Sequence, residues 1–248
     1  MQWNDVIEKI IEDNGGIAPL KTIYKNAHIY KAIPKGEWQK TLRGILYRDV
    51  IKGRFIKVGL GVFSLPNRLG NNTAYQVAQS KVGSEKFLQE CQDKHSMIEG
   101  MILELGNYFE FLTYTSDINK QFDGKRLNEL AMIDEFPNFT YENLIKIIKK
   151  CDVIWFKKSK TPLPKFIFEV EASTDFTNSL LKMYQFIDFD TRFLVVAPEE
   201  KRTVFNDRIS RNPFESMNKK FEFKSFEQVV KLYFSAVEHY ELKEKFLN

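Results

Sequence analysis

The sequence predicts an α/β domain with a mixed β-sheet, preceded by a small N-terminal α+β domain. The first observation is that residues 1–66 contain three helical periodicities followed by two short strand patterns. The second is that residues 95–248 alternate helical and strand patterns, which is typical of a sheet covered by helices. The third is that residues 67–83, between these two parts, are polar and contain Gly and Asn. We therefore predict domains at 1–66 and 95–248, joined by a linker and a short helix at 67–94.

The composition of the 248-residue chain limits the classes of function. It contains two cysteines without a CxxC spacing, which favours a reducing cytoplasm and argues against a zinc site. The three histidines offer little material for a mechanism centred on histidine. No apolar run approaches the length that spans a bilayer, so we expect a cytoplasmic protein with no membrane partner. The net charge of +4 is only weak evidence for a polyanionic partner such as nucleic acid.

The N-terminal domain is predicted to form three helices and a β-hairpin. The first helix carries apolar residues at helical spacing and ends at Gly15, and the second begins after Pro19. The third helix is expected at residues 35–49, and the two strands at 51–58 and 62–65. This order of elements, with the hairpin sequence GLGVFSLP, resembles a winged helix-turn-helix domain.

The third helix carries polar and basic residues on the side opposite its apolar residues. The resemblance to winged helix-turn-helix domains implies that this helix enters the major groove of double-stranded DNA. Gln39 and Arg43 would then face base edges, while Lys35, Lys40 and Arg48 would face phosphates. The alternative is a winged fold that contacts protein and leaves these basic residues solvated. The concentration of Lys and Arg on one helical face favours DNA.

Residues 152–171 are predicted to form a β-hairpin, because two apolar runs flank a loop that contains four Lys and two Pro. Alternating side chains place Glu169 and Glu171 on one face of the second strand, and Asp152 opens the first strand. Burying such a carboxylate unpaired costs several kcal/mol, so a cation should lie beside these acids. A divalent ion held by oxygen ligands is one solution, and an Arg or Lys partner is the other. The presence of three acids together, without a rival site elsewhere in the sequence, favours the metal.

The remaining elements of the α/β domain follow from periodicity. The segment Ser96-Met-Ile-Glu99 has the pattern of a capping box and is expected to open a helix that ends at Gly106. Glu99 then has two interpretations. It closes its own helix N-terminus, which the capping pattern favours, or it reaches the acidic residues as an auxiliary catalytic group. Further strands are expected at 108–114, 192–197 and 221–223, and further helices at 84–92, 141–150, 176–184, 199–211 and 226–240.

The order helix, strand, strand opened by Asp, apolar strand ending in acid-x-charge, helix and strand resembles the PD-(D/E)xK nuclease superfamily, over about residues 95–200. Carried over by position, Asp152 is the superfamily Asp and Glu169 is the (D/E). Glu171 stands where a Lys is usual, and Glu is found there in some type II restriction enzymes and also in inactive relatives. Cys151 replaces the Pro that usually precedes the Asp. The resemblance implies a restriction-endonuclease-like core in the α/β domain.

The resemblance also implies a Mg²⁺-dependent endonuclease of the type II restriction class, which hydrolyses phosphodiester bonds in double-stranded DNA. Asp152 and Glu169 would hold Mg²⁺ or Mn²⁺, and Glu171 would hold or deprotonate the attacking water, or bind a second metal. Lys182, on the following helix, either supplies positive charge to this site or, as is more common for a helix lysine, is solvated. A palindromic recognition site would favour a homodimer. A non-catalytic DNA-binding regulator, and a repair or RNA nuclease on the same fold, remain as alternatives.

Overall fold

The computed structural model describes residues 1–66, 73–80, 83–172 and 176–247. The chain forms two compact units, the first made of residues 1–81 and 123–125 and the second of residues 82–122 and 126–248. The division falls inside the segment 67–94 that is predicted to contain the linker. Of that segment, residues 67–72 and 81–82 lie outside the described residues.

The first unit contains the helices and strands that the sequence predicts, together with one further short strand (β1, Ile17–Pro19) and one further short helix (α4, Ala74–Gln79). Its three strands form an antiparallel sheet in which the third strand lies between the other two. Its core is formed by the inward sides of the first three helices together with two buried phenylalanines. In chain order the elements are α1 (Trp3–Asp13), β1 (Ile17–Pro19), α2 (Leu20–Tyr30), α3 (Trp38–Ile51), β2 (Ile56–Gly59), β3 (Val62–Ser64) and α4 (Ala74–Gln79).

Helix α3 differs from its predicted bounds at both ends. It begins later, because Gly36 has a φ of 99°, which lies outside the helical region. It also ends later, in a Schellman motif in which Gly53 has a φ of 75° and the N–H of Arg54 donates to the oxygen of Asp49 (2.9 Å). The strand predicted from Ile51 therefore begins only with β2.

The second unit contains a five-stranded mixed sheet covered by helices, which is the α/β arrangement that the sequence predicts. From residue 83 onward the α-helices are α5 (Ser84–Glu90), α6 (Lys94–Tyr108), α7 (Leu127–Leu130), α8 (Glu142–Ile148), α9 (Thr177–Tyr184), α10 (Arg202–Ile209) and α11 (Phe226–Leu247). Short 3₁₀ helices lie at Glu199–Lys201 and Glu215–Lys220. The strands are β4 (Leu112–Thr115), β5 (Gln121–Phe122), β6 (Lys125–Arg126), β7 (Val153–Phe156), β8 (Pro164–Val170), β9 (Arg192–Ala197) and β10 (Phe221–Ser225).

The large sheet has the strand order β10-β9-β8-β7-β4. Strands β4, β7 and β8 are antiparallel neighbours, whereas β8, β9 and β10 run parallel. Strand β10 forms one edge of the sheet, and the closing helix α11 continues past its predicted end at residue 240. The helical crossovers between the parallel strands follow from the alternation of helix and strand patterns in the sequence.

The predicted β-hairpin is confirmed as the antiparallel pair β7–β8. Val153 lies opposite Phe168, so Asp152, just before β7, stands beside Glu169, near the end of β8. One face of the hairpin belongs to the hydrophobic core of the second unit, and the other face carries aromatic side chains in edge-to-face and tilted contacts. The register therefore brings the two expected metal ligands to the same end of the hairpin.

Helix α6 begins and ends differently from the prediction. Its N-cap is Asp93, whose side chain accepts a hydrogen bond from the N–H of Ser96 (3.1 Å), so the capping box predicted at Ser96 is wrong. The helix also runs through Gly106, and β4 begins later than the predicted strand. Gly106 permits close packing instead, because a Cβ there would lie 2.5 Å from Thr113 Cγ2 and 2.5 Å from Trp155 Nε1.

Candidate active site

Asp152 and Glu169 meet at the end of the β7–β8 hairpin, where the antiparallel register places them side by side. Asp152 Oδ2 accepts a hydrogen bond from the backbone N–H of Val170 (2.7 Å). Glu169 is 2% exposed, and its Oε1 accepts no hydrogen bond from the described residues. This acidic pair, Asp152 and Glu169, is therefore held inside the protein with an oxygen still available to a ligand.

Lys182, on α9, forms an ion pair with the acidic pair. Its Nζ lies 2.5 Å from Glu169 Oε2 and 3.2 Å from the backbone oxygen of Lys150. The Lys182 side chain is only 27% exposed, so its interpretation as a solvated helix lysine is wrong. Lys182 instead lies beside the acidic pair, which is the alternative predicted for it from the sequence.

Burial and mutual repulsion change the protonation of the acidic pair. Burial raises the pKa of Glu169 to about 7, and the Asp152 carboxylate adds to this shift. Burial also raises the pKa of Asp152, although the hydrogen bond from Val170 opposes the change. Burial tends to lower the pKa of Lys182, but Glu169 outweighs it and raises that pKa overall. One lysine therefore does not fully neutralise the pair, and a more highly charged cation would fit beside these oxygens.

A second group of charged side chains, His95, Glu99, Asp117 and Lys120, is called here the His95 cluster. His95 and Glu99 lie one turn apart on α6, with His95 Nδ1 3.4 Å from Glu99 Oε1. Lys120 hydrogen-bonds to Asp117 and places its Nζ 2.9 Å from His95 Nδ1 and 3.6 Å from Glu99 Oε2. His95 Nε2 lies 4.0 Å from Asp152 Oδ2, so the cluster adjoins the acidic pair.

Glu99 is the most enclosed member of the His95 cluster. It is 0% exposed, and neither of its carboxylate oxygens accepts a hydrogen bond from the described residues. Burial raises its pKa to about 7, although the contact with His95 opposes this change. The same contact raises the pKa of His95 against the effect of burial. Because Asp93 caps α6, the interpretation of Glu99 as a capping residue is wrong, and Glu99 lies among the acidic residues instead.

Three of the four cluster members were not predicted from the sequence. They come together because β4 pairs with β7, and the N–H of Ser116 donates to the backbone oxygen of Asp152 (3.2 Å). This pairing places the loop after β4 beside the acidic pair. Because β4 and β7 are far apart in the chain, no local sequence pattern predicts that they pair. The i, i+4 spacing of His95 and Glu99 on one predicted helix is the signal that could have indicated the histidine.

Glu171 directly follows β8 and is held by its neighbours. The Ser179 hydroxyl, on α9, donates a hydrogen bond to Glu171 Oε1. The Glu171 N–H donates to the backbone oxygen of Val196 (2.8 Å) and so extends the pairing with β9. Cys151, at the other side of the acidic pair, is buried, and burial raises the pKa of its thiol. A thiol that keeps its proton is a poor nucleophile, which agrees with a structural role.

The five residues expected to bind DNA are all exposed on the first unit. Helix α3 turns by about 100° per residue, so Gln39 and Arg43 lie close together on its surface, whereas Arg48 lies about 180° from Gln39. Lys35 precedes the helix, and Lys40 forms an exposed ion pair with a neighbouring glutamate. The basic residues are therefore spread around the exposed part of α3, and the expected concentration on one face is wrong, because Gln39 and Arg43 lie beside the buried side and Arg48 lies across the helix from Gln39.

A comparison with protein families gives a match over most of the chain. The family model described as Type II restriction enzyme NmeDI C-terminal domain matches residues 76–248, more than two thirds of the sequence. The matched region includes the acidic pair, Lys182 and the His95 cluster. No curated protein and no solved structure matches the chain. Within the described residues, every helix is too short or too polar to cross a membrane.

Proposed function

The chain belongs to the type II restriction enzyme family defined by the NmeDI C-terminal domain, and we propose that it is a Mg²⁺-dependent endonuclease that hydrolyses phosphodiester bonds in double-stranded DNA. Membership of this family implies a restriction nuclease with DNA as its partner. The observation that carries the finer proposal is the buried acidic pair, with Lys182 2.5 Å from Glu169. These groups offer oxygen ligands for a cation and a positive charge for the phosphate that reacts.

The acidic pair suits Mg²⁺ because Asp152 and Glu169 both present hard oxygen ligands. The Oε1 atom of Glu169 is buried and accepts no hydrogen bond from the part of the chain that is described. Burial is the main cause of the raised pKa of both acids, and a bound cation would offset the cost of keeping them ionised there. When bound there, Mg²⁺ or Mn²⁺ would polarise a water molecule and the scissile phosphate.

The side chains around the acidic pair have separate roles in this proposal. Lys182 places its ammonium group where it stabilises the negative charge that grows on the phosphate. It thereby supplies, from α9, the charge that a Lys at position 171 would supply from the strand. Glu171, oriented by the Ser179 hydroxyl, accepts a proton from the attacking water. Glu99 acts as an auxiliary acid that fixes His95 next to Asp152.

The first unit has the proposed role of DNA recognition as a winged helix-turn-helix. Its helix α3 would enter the major groove, with Gln39 and Arg43 at base edges and the remaining basic residues at phosphates. The exposure of all five residues supports this role. Action on a palindromic site would favour a two-fold symmetric homodimer, and the enzyme would meet its DNA in the cytoplasm.

Cleavage of amplified genomic DNA, which contains all short sequences and no base methylation, tests this proposal. The wild type is expected to cut only with Mg²⁺ or Mn²⁺. Asp152→Asn and Glu169→Gln should lose cleavage but retain DNA binding in a gel-shift assay, because carboxylates do not supply affinity for phosphate. Asp190→Asn, which changes a 97% exposed acid outside the site, is the matched control and should cut normally.

Each other outcome of this experiment has a defined meaning. Cleavage by Asp152→Asn or Glu169→Gln would reject the acidic pair as the active site. Binding of DNA without cleavage under any divalent ion would favour the non-catalytic regulator. Preferential cleavage of RNA or of branched DNA would favour the repair or RNA nuclease.

A further inference from the structure

The His95 cluster has the composition and spacing of a metal site. One ring nitrogen of His95 and one carboxylate oxygen each of Glu99 and Asp117 lie within 4.8 Å of one another. His95 and Glu99 project from the first turns of α6, and Asp117 projects from the loop after β4. An imidazole nitrogen combined with carboxylate oxygens is a common ligand set for divalent transition metals.

A positive charge already occupies the centre of this cluster. The ammonium group of Lys120 hydrogen-bonds to Asp117 and lies 2.9 Å from His95 Nδ1 and 3.6 Å from Glu99 Oε2. Lys120 thus contacts all three groups that could bind a metal. Its side chain is 39% exposed, so it can swing outward into solvent when another cation enters.

Lys120 does not satisfy the most buried of the three groups. Glu99 is fully enclosed, and neither of its oxygens accepts a hydrogen bond from the described residues. A buried carboxylate in this state carries a desolvation cost that the Lys120 ammonium, 3.6 Å away and not hydrogen-bonded to it, only partly offsets. A divalent ion in direct contact with the carboxylate would offset much more of this cost.

We propose that His95, Glu99 and Asp117 bind a divalent transition-metal ion, and that the ammonium group of Lys120 occupies this site when no metal is bound. The imidazole ligand selects ions such as Mn²⁺, Co²⁺ or Zn²⁺ over Mg²⁺, which prefers oxygen ligands only. The site is separate from the acidic pair, although His95 Nε2 lies 4.0 Å from Asp152 Oδ2. It stands on the geometry of the cluster and does not depend on DNA cleavage.

Electron spin echo spectroscopy of the full chain with bound Mn²⁺ tests the nitrogen ligand directly. Modulation by a histidine nitrogen is expected in the wild type and in Glu169→Gln, because that variant alters only the acidic pair. His95→Gln should abolish the nitrogen modulation, and the other two histidines of the chain serve as internal controls for adventitious binding. Absence of the modulation in the wild type, or its persistence in His95→Gln, would overturn the proposal.

Mn²⁺ titrations test the exchange with Lys120. Lys120→Met should tighten Mn²⁺ binding at the nitrogen-coordinated site by about tenfold or more, because a competing charge is removed. The matched control is Lys146→Met, which removes an exposed helix lysine paired with Glu142 and should leave this affinity unchanged. Glu99→Gln keeps the shape of the side chain and should weaken binding by about tenfold or more. An unchanged affinity in both Lys120→Met and Glu99→Gln would overturn the proposal.

The metal-binding proposal and the nuclease proposal can fail independently of each other. If the wild type does not cleave DNA with any divalent ion and nitrogen-coordinated Mn²⁺ is still observed, the nuclease proposal fails and the metal site stands. If Glu169→Gln loses cleavage and no form of the protein shows nitrogen coordination, the metal site fails and the nuclease proposal stands.

Discussion

Among single residues, Lys182 has two roles. It forms an ion pair with the buried Glu169, and it brings positive charge to the proposed site of hydrolysis. We expect Lys182→Met to lower single-turnover cleavage by about 100-fold or more, the usual cost of removing a preorganised charge. The variant should also lose about 1–3 kcal/mol of unfolding free energy, since Glu169 is left without its partner. Lys146→Met, which changes an exposed helix lysine paired with Glu142, is the control. Normal cleavage by Lys182→Met would leave this lysine a purely structural role.

Glu171 is the residue at which the chain departs from the usual motif. We expect Glu171→Lys to inactivate the enzyme, even though it restores the usual residue, because a second ammonium would repel a divalent ion at 4 Å by about 2 kcal/mol even at the dielectric of water. The substitution also removes the acceptor of the Ser179 hydroxyl. Glu171→Gln should lose cleavage and keep the fold. Turnover and thermal melting with and without Mg²⁺ measure both effects, and parental activity in Glu171→Lys would exclude Glu171 as base or ligand.

Asp123 offers a clear test of how burial couples pH to stability. Burial raises its pKa to about 7, although the hydrogen bond from the Ala74 N–H (2.8 Å) opposes this. The folded state therefore keeps a proton that the unfolded state has released, and this residue's contribution to stability falls as pH rises from 3.8 to about 7. We expect Asp123→Asn to melt like the wild type at about pH 4 and at a higher temperature at about pH 8, as followed by calorimetry. A difference that does not change with pH would contradict the raised pKa. Asn tolerates the φ of 47° at this position, so the substitution adds no backbone strain.

The positions of single site residues were predictable where the alternation of side chains along a strand determines which face they occupy. The alternation of side chains in β8 and the Asp before β7 were sufficient to place Asp152 and Glu169 together. Lys182 and His95 were not placed, because a helix lysine or a single histidine has the same local pattern whether it is solvated or buried.

At the scale of elements, α6 depends on a glycine in its interior. We expect Gly106→Ala to lower the unfolding free energy of the second unit by about 1–3 kcal/mol, because the new Cβ overlaps Thr113 and Trp155. Gly44→Ala, in α3, is the matched control, since nothing lies within 4 Å of a Cβ there. That variant should be neutral or more stable by up to about 1 kcal/mol. Urea denaturation measures both, and equal stability of the two variants would show that the packing around Gly106 relaxes without cost.

The ends of elements were predicted less well than their centres, for identifiable reasons. Ser96 and Glu99 fit a capping box, but Asp93 competes for the same N–H groups and caps the helix earlier. Gly106 looked like a helix terminator although it serves packing. Gly53 is a terminator with the left-handed φ that this role requires.

At the scale of the whole molecule, the proposed role of the first unit predicts how DNA binding responds to salt. Affinity measured without a divalent ion should fall steeply with salt concentration, and Lys40→Gln or Arg48→Gln should flatten the slope by about one unit each. Arg43→Gln should instead relax sequence preference, at about 1–3 kcal/mol for a lost base contact. Lys9→Gln, on α1 of the same unit, is the control and should leave the slope unchanged. No change of slope in Lys40→Gln and Arg48→Gln would assign α3 another role.

The α/β class of the second unit was predictable, because helices and strands differ in the spacing of their apolar residues. The order of strands was not, since nothing local indicates that β4 pairs with β7 across more than thirty residues. The His95 cluster is a product of that pairing, so it was hidden for the same reason.

The β7–β8 hairpin also implies an order of events during folding. Antiparallel strands joined by a short loop make local contacts, which favours early pairing. Strand β9 pairs with β8 only after the α9 crossover has formed, and β4 pairs with β7, which is distant in the sequence. The nascent hairpin therefore unites Asp152 and Glu169 before Lys182 arrives to offset their repulsion. Divalent cations present during refolding should accordingly speed the step that closes this hairpin.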